Sequence, residues 1–234
     1  MRLHRFIRNF DFSDDSFVIS DKEIFNQIKN VLRLGAGDKI ILGDGKENEA
    51  LALINKFEKN KLEVKILEKN KNKNEPETRA TLYCAVLKKE NFEIVAEKAT
   101  EIGIAAIVPL ITKRTVKFSF KRNRLEKIIH EAAEQSGRGI VPILGEPKEF
   151  KKAVLQAASN DLNVIFDPRG NNFYDVFGPK KTKQLIGIMI GPEGGWDESE
   201  IIFAKENNFK IISMGSLILR AETAAIIASH LILN

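Results

Sequence analysis

A chain of 234 residues and 26.4 kDa has room for one large domain or two modest ones, and it is too long for a minimal module. Hydrophobic residues at 43% and charged residues at 29% are ordinary globular usage, which excludes a disordered chain. The net charge of +5, from 37 Lys and Arg against 32 Asp and Glu, is spread along the chain, so neither half is a basic block and any nucleic-acid surface must be a local patch.

The longest apolar stretches, such as 185–190, are of strand length and far below the roughly 20 residues of a membrane span. The N-terminal MRLHRFIRNF carries charges without an apolar segment and a small-residue cleavage site, so no secretory leader and no membrane association are expected. Cys84 is the single cysteine, which excludes an internal disulfide, and His4, His130 and His230 are too scattered to make a metal site with it. A reducing, cytoplasmic setting without a metal is the expectation.

Taken in chain order, the first predicted element is a helix over 21–32, with Asp21 as N-cap and Ile24, Ile28, Val31 and Leu32 on one face. Gly35 and Gly37 read as a turn. Strands are predicted over 39–42, 49–54 and 62–67, the first two joined by the Gly43-Asp44-Gly45 turn, and in the third Leu62, Val64 and Ile66 alternate with charges. This pattern reads as a small antiparallel barrel. The run KNKNKNEPE over 69–77 has no apolar residue and reads as an exposed linker, which divides the chain into 1–72 and 73–234.

Beyond the linker, strands predicted over 80–87, 105–110, 163–166, 185–190 and 210–214 are separated by helices. Phe92, Val95, Ala96, Ala99 and Ile102 share one helical face ended by Gly103. Leu125, Ile128, Ile129, Ala132 and Ser136 share another ended by Gly137, and a further helix spans 150–158. Alternation of this kind predicts an α/β domain with a mainly parallel sheet covered by helices on both faces.

Ligands of open α/β sheets bind outside the carboxyl ends of the strands, and two loops there stand out. Gly191-Pro192-Glu193-Gly194-Gly195 follows the strand over 185–190 and precedes a helix signed by the capping pair Asp197 and Glu200. Three glycines allow positive φ and close approach of a ligand to the backbone, while Pro192 stiffens the turn. The spacing fits neither a phosphate loop nor a dinucleotide fingerprint. The second loop, 214–223, carries Arg220, Glu222 and Thr223 at the entry to an apolar helix, read either as a capped, ion-paired helix start or as a functional cluster.

The pair GPEGG and MGSLILRAETAA resembles the C-terminal signature of the SPOUT superfamily of S-adenosylmethionine-dependent RNA methyltransferases, specifically the RsmE-type 16S rRNA uridine N3 methyltransferases. HRFI, VLRLGAGDKI, EKATEIGIAAIVPLITKRTV and EAAEQSGRGIVPIL resemble that family in the same order, so the resemblance covers nearly the whole chain. It implies an N-terminal PUA-like barrel that binds RNA, an α/β methyltransferase domain tied in a trefoil knot, and a homodimer acting on 16S rRNA of the small ribosomal subunit. The family commonly has a basic residue where this chain has Leu217.

The resemblance assigns S-adenosylmethionine to Phe166, Gly191, Pro192, Glu193, Gly194, Met214, Gly215, Leu217, Ile218 and Leu219, through backbone groups and apolar contacts. Uridine N3 carries an imide proton and is a poor nucleophile until that proton leaves, so Arg220 is the candidate for stabilising the resulting charge. Glu222 would orient Arg220 or accept the proton. The target base must be splayed out of its stack to react. Candidate RNA contacts are Arg2, His4, Arg5, Arg8, Arg33, Lys88, Lys89, Arg114, Gln135 and Arg138, with Ser136 beside the last two. His130 reads as a helix-surface residue. Trp196 and Tyr174 read as core aromatics, with stacking on RNA as the alternative. The competing readings are a SPOUT enzyme of another RNA target and a non-catalytic RNA-binding homologue.

Overall fold

The alternation of Leu62, Val64 and Ile66 with charged residues does place three buried side chains on one face of a strand. The structure is a computed structural model that describes residues 3–115, 121–177 and 184–234, with Lys89 described through its backbone alone; Arg2 lies outside the described residues. The chain divides into two compact units, Met1–Glu75 with Ala133–Val141, and Pro76–Ala132 with Pro142–Asn234.

The first unit is built on β1 (Arg5–Ile7), β2 (Ser16–Ile19), β3 (Lys39–Gly43), β4 (Asn48–Glu58) and β5 (Lys61–Lys71), in the sheet order β1-β3-β4-β5-β2. Only β1 and β3 run parallel; the other pairs are antiparallel. β1 and β2 are three and four residues long, too short to carry a readable alternation. Ile40, Leu42, Ala50, Ala52, Ile54, Leu62 and Val64 are fully buried against Ile24 and Ile28.

Those two isoleucines come from α1 (Lys22–Asn26) and the π-helical turn Gln27–Val31 that continues it. Asp21 caps the helix as read, its Oδ1 accepting the N–H groups of Glu23 and Ile24 at 2.8 and 3.0 Å. The turn closes through the Leu32 N–H to the Gln27 carbonyl, 2.8 Å, five residues back. That extra residue advances the register, so Val31, expected on the apolar face, turns to solvent while Leu32 and Leu34 pack on the core.

The polar run over 69–77 is not a free linker. Its first three residues complete β5, and Asn72 is buried, donating from Nδ2 to Glu49 Oε2 at 2.9 Å and to the Gly137 carbonyl at 3.0 Å. Glu75 Oε2 accepts from Arg138 Nη2 at 2.7 Å, and its Oε1 accepts from Arg138 Nε at 3.2 Å and from the Gly139 and Ile140 amides at 2.9 and 3.1 Å. A composition that suits water is here satisfied by hydrogen bonds within the unit.

The second unit alternates β6 (Arg79–Ala85), α2 (Lys89–Ile102), β7 (Ala106–Ile111), α3 (Arg122–Ser136, whose residues from Ala133 on belong to the first unit), β8 (Ile143–Leu144), β9 (Lys148–Glu149), α4 (Phe150–Ala157), β10 (Leu162–Asn172), α5 (Phe173–Val176), β11 (Leu185–Ile190), α6 (Glu198–Glu206), β12 (Lys210–Ser213) and α7 (Ala221–Leu233). Every pairing is parallel, in the order β12-β10-β11-β6-β7-β8, with β9 also on β7. α2 and α3 end as read, at Gly103 and Gly137. Because β12, β10, β11 and β6 are neighbours, the loops leaving their carboxyl ends lie side by side, and there a site can form. β10 adds a feature absent from the sequence reading: its register on β12 shifts between Phe166 and Asn171, so residues 167–170 bulge out beside that edge.

Candidate functional site

The side-by-side loops enclose a cleft of about 490 Å³, within the size range of small-molecule sites. Phe166 at the start of the β10 bulge, Gly191, Pro192 and Glu193 after β11, and Met214, Gly215, Leu217, Ile218 and Leu219 after β12 all line it. Of the residues expected to hold a cofactor, Gly194 alone is outside the lining, its carbonyl turned to Arg114 Nη1 at 2.8 Å. Asn91, Asp167, Pro168, Ile190, Ile212 and Ser213 line the cleft without having been anticipated. The Asp167-Pro168-Arg169-Gly170 turn directly after Phe166 was the available signal for two of them.

The 191–195 loop uses its glycines for different reasons. A Cβ on Gly191 would stand 3.0 Å from the Trp196 indole, so that position keeps the backbone close to a ring. Only Gly195 takes a left-handed conformation, φ 68°, closing a turn through its N–H to the Pro192 carbonyl at 2.8 Å. Trp196 is buried, and its Nε1–H donates to the Phe166 carbonyl at 3.0 Å, which ties the loop after β11 to the end of β10. It is a core residue, as read, whereas Tyr174 is 77% exposed and is not.

The expected capping box at α6 is present: Glu200 Oε2 accepts the Asp197 N–H at 2.9 Å, and Oε1 accepts the Lys113 N–H at 3.0 Å. Hydrogen bonding from the Ser199 hydroxyl, then from Lys113, holds the Asp197 carboxyl at about 2, below its ordinary 3.8. A depressed folded-state value stabilises the fold above the unfolded value, and that contribution disappears as pH falls toward 2. Asp197→Asn should therefore unfold at lower urea than the parent at neutral pH, and the two midpoints should converge as the pH is taken from 4 to 2; a constant gap would refute this.

Charges on the cleft wall are of both signs: Lys88 and Arg220 against Asp167, Glu193 and Glu222. Burial alone would raise the Asp167 carboxyl, but hydrogen bonds from the Arg169 guanidinium, at 2.8 and 3.0 Å, and from the Arg169 amide, at 2.9 Å, hold it below its ordinary value. Glu193 reaches the start of α2, Oε1 accepting the Lys88 N–H at 3.4 Å. Fully buried Cys84 has its thiol pushed up by burial, then by Glu193 and Glu222.

Arg220 is the N-cap position of α7 and Glu222 lies in its first turn, and both line the cleft. Among the described residues neither has a salt-bridge partner, so the ion-paired helix start is not what forms, and Glu222 does not hold Arg220 through an ion pair.

The expected RNA contacts separate into two groups. Arg138 is buried and bidentate to Glu75, which corrects its assignment to the substrate side: the charge is already neutralised inside the first unit. Arg5 pairs with Glu49 and is nearly buried, and Arg8 lies 3.3 to 3.6 Å from Glu134, Glu23 and Asp21. His4, Arg33, Lys88, Arg114 and Gln135 are exposed. Lys89 is placed only by its backbone at the start of α2. Among the described residues no group of three or more His, Cys, Asp or Glu could hold a metal ion, and no helix is long and apolar enough to cross a membrane.

The fit to a nucleoside-bearing sulfonium can be judged from this donor set. Phe166, Ile190, Ile212 and Leu219 supply apolar surface for a planar base, three carboxylates on the wall suit a cationic centre, and Lys88 suits a carboxylate. Comparison with known proteins agrees with the geometry. The family described as RNA methyltransferase domain matches residues 73–233, and RNA methyltransferase PUA domain matches residues 19–67. A Rickettsia conorii protein named ribosomal RNA small subunit methyltransferase E is 34% identical over 233 residues, 97% of this chain and 94% of that one. A Mesomycoplasma hyopneumoniae protein of the same name is 36% identical over 172 residues, 71% and 74%. The crystal structure of a ribosomal RNA small subunit methyltransferase E from Neisseria gonorrhoeae bound to S-adenosyl methionine superposes with a TM-score of 0.87 at 30% identity, covering 97% of this chain and 95% of that one.

Proposed function

The chain belongs to the ribosomal RNA small subunit methyltransferase E family, and from that premise we propose that it transfers a methyl group from S-adenosylmethionine to N3 of a uridine in small-subunit ribosomal RNA. The observation that carries the reading is the meeting, in one cleft, of an apolar, glycine-lined wall with a cation, Arg220, that has no salt-bridge partner among the described residues, and a carboxylate, Glu222. S-adenosylmethionine supplies the methyl group when bound. Phe166, Gly191, Pro192, Met214, Gly215, Leu217, Ile218 and Leu219 hold it through apolar surface and backbone groups, and Glu193 faces its cationic end. Leu217 in place of a basic residue leaves the backbone contribution of that loop intact.

Arg220 stabilises the negative charge that develops on the uracil when N3 loses its proton, and Glu222, free of an ion pair with it, accepts that proton. RNA is gripped by His4, Arg33 and Lys88 together with Arg2, Lys89 and Gln135, while Arg5, Arg8 and Arg138 serve the fold of the first unit. The first unit is read as the RNA-binding PUA-like domain, and the trefoil knot is carried over from the family resemblance. A homodimer is supported by the exposed apolar side chains Leu217 and Ile218, 80% and 87% exposed, and by the half-exposed Ile226 and Ile227 of α7. A cytoplasmic setting follows from the substrate.

Incubating the protein with tritium-labelled S-adenosylmethionine and small-subunit ribosomal RNA, then digesting to nucleosides, tests the reading. Label in 3-methyluridine, identified by mass spectrometry, is the expected result. Label on a ribose or on another base would point to a different RNA methyltransferase, and S-adenosylmethionine failing to bind would favour a non-catalytic RNA-binding homologue.

A further inference from the structure

The turn after β7 is fastened to the back of the 191–197 loop by a set of bonds that the reaction itself does not require. Lys113 donates its backbone N–H to Glu200 and its Nζ to Asp197 at 3.1 Å and to the Ser199 hydroxyl at 2.6 Å. Arg114 donates Nη1 to the Gly194 carbonyl at 2.8 Å, its Nη2 stands 3.9 Å from Asp197, and its aliphatic stem packs 3.6 to 3.7 Å from where a Gly194 Cβ would be. The turn is itself stiffened by Thr115, whose hydroxyl accepts the Thr112 N–H at 3.0 Å and pairs with the Thr112 hydroxyl at 2.9 Å.

Gly194 is the residue of that loop that faces away from the cleft, between Glu193 and Gly195, which line it. Its carbonyl is therefore a handle on the cleft wall, and Arg114 holds it. A chain of Gly-Pro-Glu-Gly-Gly has much backbone freedom to lose, and when the binding-competent conformation is populated only part of the time, the apparent affinity falls by that fraction. A tether from a neighbouring strand raises the fraction without touching the ligand.

We infer that Arg114 is a positioning residue for the cofactor loop, acting through the Gly194 carbonyl, and that it is not a phosphate contact of the RNA. The inference rests on the cleft being the S-adenosylmethionine site proposed above. Its test has one readout that needs no cofactor. Hydrogen exchange at the Glu193–Gly195 amides should be faster in Arg114→Ala than in the parent and close to the parent in Arg114→Lys, whose ammonium can still donate to the carbonyl. Unchanged exchange in Arg114→Ala overturns the inference whatever becomes of the function.

By calorimetric titration, Arg114→Ala should bind S-adenosylmethionine about tenfold more weakly, the equivalent of a charge-assisted hydrogen bond at the low end of its range, with Arg114→Lys restoring most of the affinity. In turnover the loss should fall on KM for the cofactor, with kcat and the affinity for small-subunit ribosomal RNA near their parental values. Equal cofactor affinity in parent and Arg114→Ala, or weakened RNA binding with the cofactor affinity intact, overturns it. If the parent itself binds no S-adenosylmethionine, the function reading fails, and hydrogen exchange alone decides whether the tether exists.

Discussion

Arg220→Ala should lower kcat by about 10²–10³-fold, the range seen when one donor that stabilises a developing anion is removed, while S-adenosylmethionine affinity stays near the parental value. The argument runs from position. Arg220 is the N-cap residue of α7, a 13-residue helix whose first-turn amides have no partners within the helix, so guanidinium and helix terminus put positive potential on the same wall. Among the described residues no carboxylate neutralises the guanidinium, which leaves its charge available to a uracil that has lost its N3 proton. The groups proposed to hold the cofactor are apolar side chains and backbone rather than this guanidinium, so its affinity should survive. Arg220→Lys should fall between, since an ammonium keeps the charge but loses the planar fork. Steady-state kinetics beside calorimetric titration checks both halves. Near-normal turnover in Arg220→Ala, or a loss of cofactor binding that accounts for the whole defect, would sink the assignment.

Trp196→Ala should destabilise the second unit by about 3–5 kcal/mol, the usual cost of truncating a large buried aromatic. Trp196 is 3% exposed, its ring lies 5.2 Å from that of Phe150, and it backs Gly191 so closely that a Cβ there would stand 3.0 Å from the indole. Removing it also leaves the Phe166 carbonyl without its 3.0 Å donor. Trp196→Phe retains most of the packing but not the donor, so it should cost about 1–3 kcal/mol, the penalty of one unsatisfied buried acceptor. Urea unfolding of the three proteins gives the comparison. Cofactor affinity should fall in the same order, because Trp196 joins two neighbouring loops that line the cleft; a stability loss with unaltered cofactor affinity would show that the joint is irrelevant to binding.

Much of this could be read from the residues alone, for identifiable reasons. The strands over 39–67 were legible because each buries one face and therefore alternates, and those over 80–214 because a sheet covered on both faces demands apolar runs. Asp21 and the Asp197–Glu200 pair were legible because a cap is a local hydrogen bond between neighbours in sequence. β1, β2, β8 and β9 were not, because two to four residues contain no period. Arg5, Arg8 and Arg138 looked like phosphate ligands because an arginine's partner is set by folding: Glu49 is 44 residues from Arg5 and Glu75 is 63 from Arg138.

By itself, the sequence determined the two-part architecture, the parallel sheet and the two loops, 191–195 and 214–220, whose residues line the cleft. These depend on local composition and on the rule that ligands sit at the carboxyl edge of such a sheet. Only the tertiary structure decided which other segments those loops meet. The strand order that sets the loops after β10, β11 and β12 side by side, the turn after β7 that takes hold of Gly194, and the carboxylates that occupy three of the arginines are all contacts between distant segments. A charged side chain is available to a ligand only if no other part of the chain has already neutralised it, and that is a property of the folded molecule.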